Sequence, residues 1–529
     1  MHRFKVVLAL AVAMALVPMA SAQPQASQVL RWNVATDLET LDPAKSTGIP
    51  EATVIYLLYE GLTQRDAKGR LVPGMAERWD ISKDGLTWTF YLRQARWSNG
   101  QMVTAADFEF AWKRALDPAV ASDYAYQLYY LKNGKAYNTG KIKDAGQVGV
   151  VAKDARTLVV TLENPTPFFG DLLSFHTLMP VPKAVVTTTP LWAGKAETFV
   201  GNGPFVLKEW RRQNRIVVER NPQYWDAKSI KLARIEFSMI EAESTALAQY
   251  EAGQLDGSSN VPVADIPRLM KSGDFKAMPY IGTYYYLFNT TRKPLDDARV
   301  RRALTFAINR TLITARITRA GEKPAVGFVP SGIVVNGVDF RAAGGALMPV
   351  YDPALAKRLL AEAGYPDGKG FPVLTILYNT SQRHKTIAEA IQEMWRQNLG
   401  IKVNLTNQEW KVYLQTREEH NFDIARAGWI GDYRDPKTFL DMFITGSSFN
   451  EGLWSNNEYD RFVEATTKTA DQTARMKAFH EAEKIFIREM PLAPIYFYVN
   501  PILFKPYVQG LEADPTGPPL LRSVWIVGN

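Results

Sequence analysis

The run VLTILYNTSQRHKTIAEAIQEMWRQNLGIKVNL, residues 373–405, decides the fold. VLTILY alternates as a strand does. Ser381 is placed to cap a helix whose apolar positions, Ile387, Ile391, Met394, Trp395 and Leu399, share one face, and Gly400 ends it. IKVNL then alternates again. Strand, helix and strand joined by short connections predict a parallel pair with a crossover helix, the unit of an α/β protein. Ligands of open α/β sheets bind beyond the carboxyl ends of strands, where helix N-termini also point. His384 lies there, between Tyr378 and the body of the helix.

The neighbouring segments keep this alternation. LTWTFYL (86–92) reads as a strand of β-branched and aromatic residues. VTAADFEFAWKRALDP (103–118) reads as a helix with Thr104 as cap, Asp107 at the third position, and Phe108, Ala111, Trp112 and Ala115 on one face. DDARVRRALTFAIN (296–309) repeats the logic, with Val300, Ala303, Leu304, Ala307 and Ile308 on one side. YDPALAKRLLAEAGYP (351–366) takes Asp352 as cap, Pro353 in the first turn and Gly364 as stop. No repeat, low-complexity tract or long linker stands out, so domains sharing several chain crossings are expected.

The 529 residues suffice for two to four domains of roughly 100–200 residues each. Arg3 and Lys5, the apolar run 6–17, and Ala20-Ser21-Ala22 before Gln23 have the form of a secretory signal. The run is too short for a membrane span. Cysteine is absent, which excludes thiolate catalysis, Cys–Zn sites and a lipid anchor on a signal cysteine. Export without an anchor predicts a periplasmic, soluble protein. The formal charge of +8 is spread without a Lys/Arg block, so no nucleic-acid partner is expected.

Catalytic groupings are missing as well. HExxH, GxSxG and the phosphate-cradling GxxxxGK[ST] do not occur. The histidines (His2, His176, His384, His420, His480) are dispersed. Asp296-Asp297 reads as a helix start and Glu418-Glu419 as a solvated face, rather than as a glycosidase pair. The expectation is a protein that is not an enzyme and holds no cofactor or metal; an exported hydrolase is the alternative.

FDIARAGWIGDYRDP (422–436) leads from a strand pattern into a loop with two glycines, a tryptophan and charges of both signs. The residues alone leave two readings open. Asp432 caps a turn with Tyr433 while Arg426 pairs with Asp423, Asp432 or Asp435, or the loop faces a ligand that needs charges beside an aromatic wall.

This run, together with SKDGLTWTFYLRQARWSNGQMVTAADF (82–108), ERNPQYWD (219–226), PLDDARVRRALTFAINR (294–310), AKRLLAEAGYP (356–366) and NLTNQEWKVYLQTR (404–417), resembles the periplasmic oligopeptide-binding proteins of ABC-type peptide importers. The likeness covers nearly the whole chain after residue 22. It implies a two-lobed periplasmic-binding-protein fold (type II, cluster C), with an extra domain and mixed sheets flanked by helices. Lobe I would comprise 23–60, 183–281 and 499–529, the extra domain 61–182, and lobe II 282–498.

The resemblance also implies roles. Asp432 would receive the α-amino group of a peptide, and Arg417, Arg426 and His384 would supply cations for its carboxylate. Gly428, Trp429 and Ile430 would run beside the ligand as a strand, with Thr47 to Ile49 flanking it on the other side, a mode that binds main chain. Gly428 would leave room for close approach. Trp410, Trp429, Tyr124 and Tyr285 would line pockets. Partners would be short peptides and a membrane permease with its ATPase subunits, and the chain would be a monomer. A murein-peptide receptor is the alternative within the family, and a nickel or haem role is weaker. The chain departs from the pattern at Thr318, where a relative carries lysine, at Thr47, where one carries an acid, and at Gly282 and Ile430, where one carries a cysteine pair.

Overall fold

The 373–405 unit forms as its pattern requires in the computed structural model, which describes residues 28–66 and 70–528. The expected signal, residues 1–22, lies outside them. Leu374–Asn379 pairs in parallel with Val403–Gln408, and the helix Gln382–Leu399 crosses between them. The Ser381 side chain accepts from the His384 amide at 3.4 Å, and Gly400 closes the helix in the left-handed conformation at φ 70°. Ile387, Ile391, Trp395 and Leu399 are buried, and Met394 is partly so.

The other helices start where capping chemistry puts them. Thr104 and Asp107 form a reciprocal capping box on Ala105–Leu116. Asp297 accepts from the Arg299 amide at 2.8 Å and Asp352 from the Leu355 amide at 2.9 Å. Among the described residues, no helix is long and apolar enough to cross a membrane.

An eleven-stranded mixed sheet runs through the molecule: ten strands in one path, and the short Lys323–Pro324 pairing with Leu492–Phe504 beside it. One side holds Val403–Gln408, Leu374–Asn379 and Ile424–Ile430; the other holds Gly257–Ser258, Val29–Asn33, Arg234–Ser238, Arg215–Arg220 and Phe205–Arg211. Two long antiparallel strands, Phe275–Phe288 and Leu492–Phe504, join the sides, and their register shifts between Pro279 and Thr283. A separate four-stranded antiparallel sheet (Ala76–Ile81, Thr87–Leu92, Thr157–Thr161, Val150–Ala152) packs against Ala105–Leu116.

The strand Ile424–Ile430 places the loop that follows it. One edge pairs with Gly282–Phe288 along its whole length, and Gly282 stands opposite Ile430. The other edge pairs with Leu374–Asn379 only at Ile424 and Ala425. From Arg426 to Ile430 that edge has no strand partner among the described residues.

Candidate functional site

That open edge forms a wall of a cleft of about 370 Å³ between the two sides of the sheet and the segment 61–182. Twelve of the residues singled out above line it: Thr47, Ile49, Tyr124, Tyr285, His384, Trp410, Arg417, Arg426, Gly428, Trp429, Ile430 and Asp432. Several differ from expectation in what they offer.

Asp432 is buried at one end. Gln127 donates to its Oδ2 at 2.7 Å, Thr438 at 3.4 Å, and the Tyr124 hydroxyl to its Oδ1 at 3.5 Å. It has no cationic partner among the described residues. Burial, and then the nearby Asp441 carboxylate, hold its pKa well above the usual carboxylate range. Asp432 does not simply cap a turn with Tyr433: its side chain is enclosed, and the hydroxyl of Thr438 receives its own amide at 3.0 Å.

Arg426 pairs with none of the candidate acids. Asp423 takes Arg292 and Asp435 takes Arg475, each at 2.9 Å. Arg426 instead donates to the Tyr498 hydroxyl at 2.8 Å and to Asn379 at 3.3 Å, and lies over the Tyr284 ring. A cation held by neutral groups keeps its charge for something else.

Arg417 and His384 do not present free cations in this arrangement. Arg417 Nε donates to Glu451 at 2.7 Å, and Glu451 is buried while Arg417 is mostly so, which leaves this charge already met. His384 contacts the Tyr284 hydroxyl at 3.2 Å, and burial followed by Arg426 and Arg383 drives its pKa well below the usual imidazole value. It is neutral near pH 7 and offers a hydrogen bond rather than a charge.

Thr47 to Ile49 borders the cleft, where Ile49 opens the helix Ile49–Leu58 and presents its first turn. A Cβ on Gly428 would collide with the Tyr498 hydroxyl, so its missing side chain makes room for the group that holds Arg426. Thr318 is fully buried and lies outside the cleft wall.

Aromatic side chains form much of the cleft wall. Trp429 meets Phe449 at 4.9 Å and Tyr124 at 6.1 Å, and Tyr124 meets Phe175 at 4.8 Å. Trp410 stacks on Tyr413 and lies beside Gly48. Tyr285 is nearly all core, edge-on to Phe328 at 5.5 Å. Glu418 is exposed, as a solvated face requires, but edges the cleft, and partial burial with Asp123, Glu39 and Glu451 nearby raises its pKa to about 7.

Sequence reasoning missed Gln127, Glu451, Tyr498, Phe449 and Ala35. Each comes from a segment remote from the loop it serves, so no local pattern exposes it. Ala35, in the cleft wall at φ 71°, is a non-glycine residue in a strained conformation. Among the described residues, no cluster of three or more His, Cys, Asp or Glu could hold a metal ion.

A cleft between two sheet halves joined by long strands, walled by aromatics and ending in a buried lone carboxylate, defines a protein that encloses a solute. Residues 70–451 match the bacterial extracellular solute-binding proteins, family 5, middle region, and the chain belongs to that family. It has the two-lobed type II fold of these proteins. It is 38% identical over 507 residues to the oligopeptide-binding protein OppA of Bacillus subtilis, covering 94% of this chain and 92% of that one. The structure of Haemophilus influenzae OppA in complex with RPPGFSPFR matches with a TM-score of 0.89 at 37% identity, covering 96% and 100%. That of the Escherichia coli murein tripeptide-binding protein MppA matches with 0.89 at 38%, covering 95% and 99%. The unliganded open form of MppA matches at only 0.65, over 95% and 98% at 38% identity, so the arrangement described here is not the open one.

Proposed function

We propose that this protein is the periplasmic receptor of an ABC importer: it encloses short peptides and delivers them to a membrane permease whose ATPase subunits supply the energy. The observation that carries this reading is an unpaired acid and an unpaired guanidinium at the two ends of one open strand edge. Among the described residues, Asp432 has no cation and Arg426 no carboxylate, and they stand six residues apart. That is about 20 Å of strand, less the reach of the two side chains. Peptides of about two to five residues, at roughly 3.3–3.6 Å each, fit this gap.

Each part of a peptide meets a counterpart. Its ammonium restores the charge of Asp432, its carboxylate meets Arg426, and its main chain bonds the edge 426–430 without reading side chains. Side chains enter the aromatic pockets of Tyr124, Trp410 and Trp429, with water filling gaps. In this reading the lobes are 23–60 with 183–281 and 499–529, and 282–498, beside the domain 61–182. The strand crossings at 281/282 and 498/499 then act as hinges; the register shift between Pro279 and Thr283 supports this. Calorimetry with trialanine, its N-acetyl form and its C-terminal amide tests the reading, and equal affinity for all three rejects it.

A murein-peptide receptor is the second reading, favoured by the likeness to MppA. The Arg417–Glu451 pair speaks against it, since an extra ligand acid would have to displace Glu451. Competition between murein tripeptide and trialanine separates the two. An exported hydrolase is tested by mass spectrometry of peptides incubated with the protein; shortened products would establish it.

A further inference from the structure

Gln127 does not line the cleft, yet it is fully buried and makes the shortest bond to Asp432. It lies in the turn Asp123–Leu128 of the segment 61–182, far along the chain from the strand Ile424–Ile430. Its Nε2 donates to Asp432 Oδ2 at 2.7 Å and to the Tyr126 hydroxyl at 3.2 Å. The other donors to Asp432 are at 3.4 and 3.5 Å. Oδ2 thus takes two donors, Gln127 and Thr438, while Oδ1, touched only distantly by Tyr124, keeps most of its acceptor capacity.

A donor bonded to a carboxylate favours its ionised form. Here that donor works against burial and against Asp441. The charged and titratable surroundings on the loop side are Asp441 with Lys437, Asp435 with Arg475, and Tyr433. Tyr56, Tyr124 and Tyr126 face Asp432 from the opposite side. Glu60, Arg65, Asp514 and Arg522 stand across a small cavity of about 40 Å³. Among the described residues, no cation bonds Asp432 directly; three neutral donors, Thr438, Tyr124 and Gln127, act toward the charged state, and Gln127 makes the shortest of the three bonds.

We propose that Gln127 is a positioning residue for recognition of the ligand amine, holding the Asp432 carboxylate ionised and aimed from the segment 61–182. The inference rests on the peptide reading given above, and makes that segment part of the amine test. Calorimetry with trialanine and N-acetyl-trialanine from acid to neutral pH, on wild type, Gln127→Met and Gln127→Glu, examines it. The methionine variant is expected to lose roughly tenfold or more in trialanine affinity, the scale of a hydrogen bond to a charged group. Preference over the N-acetyl ligand should shrink by the same factor. The pH at which affinity is half lost should rise in the methionine variant, and further in the glutamate variant, where a second acid faces Asp432. This order of pH profiles is not produced by loose folding, and the near-isosteric glutamate variant carries the test if methionine unfolds. Unmoved profiles, or equal weakening of both ligands, overturn the role of Gln127 while leaving Asp432 in place. A wild type that does not distinguish the two ligands overturns the reading of Asp432 itself, and this one with it.

Discussion

Replacing Asp432 with asparagine tests the charge at the heart of the site. The side chain keeps its shape and one oxygen, and Gln127, Thr438 and Tyr124 keep a partner. What is lost is a buried negative charge facing an ammonium. Removing one member of a buried, hydrogen-bonded ion pair costs about 3–5 kcal/mol. That is roughly a 150- to 5,000-fold loss of affinity for a free-amine tripeptide, while an N-acetyl tripeptide should bind as before. Calorimetry of both ligands reads this directly. Stability should move the other way. The folded pKa of Asp432 is raised by burial and then by Asp441, so the carboxylate destabilises the closed ligand-free protein above that pKa. The asparagine variant should melt higher than wild type at alkaline pH, and the difference should fade as pH falls toward the unfolded carboxylate range. Wild-type affinity in the variant, or equal loss for both ligands, would refute the reasoning.

Arg426→Gln should cost about two orders of magnitude in affinity for a free-acid peptide, on the scale of losing a buried charge partner, and little for its C-terminal amide, by calorimetry. Glu451→Gln strands the buried Arg417 cation and should destabilise the protein by about 3–5 kcal/mol in denaturant melts, with recovery in the double variant Arg417→Met/Glu451→Leu. Gly428→Ala pushes away the Tyr498 hydroxyl that holds Arg426 and should weaken peptide binding without unfolding the sheet, as circular dichroism and calorimetry would show. Glu51 is fully buried and its pKa is raised to about 7, chiefly by burial. Its proton binds the folded protein more tightly, so stability should rise as pH falls from above 7 toward the unfolded value near 4.5, and Glu51→Gln should flatten that slope in thermal melts.

Local patterns carried the elements well. Ser381, Gly400, Thr104 and Asp352 announced their helices because capping is settled within a few residues of chain. The cleft residues around Trp429 were legible through likeness to a family rather than through local rules, since Asp and Gly near a strand end read equally well as a turn. What stayed hidden is pairing across the fold. Nothing near Arg417 tells that Glu451 will neutralise it, and nothing near His384 tells that burial and the distant Arg426 will join the adjacent Arg383 in keeping it uncharged. Tertiary charge neighbours decide which cations are on offer, and sequence distance conceals them.

The order of strands also sets a schedule. Leu492–Phe504 sits in the middle of the large sheet, hydrogen-bonded to Phe275–Phe288 on one side and to Gly257–Ser258 on the other. Synthesis delivers this central piece near the end of the chain, so the two sides cannot be zipped together until almost everything has been translated. Pairings between such distant segments are slow to form. Under the proposed export, that delay keeps the polypeptide threadable for as long as it is being made.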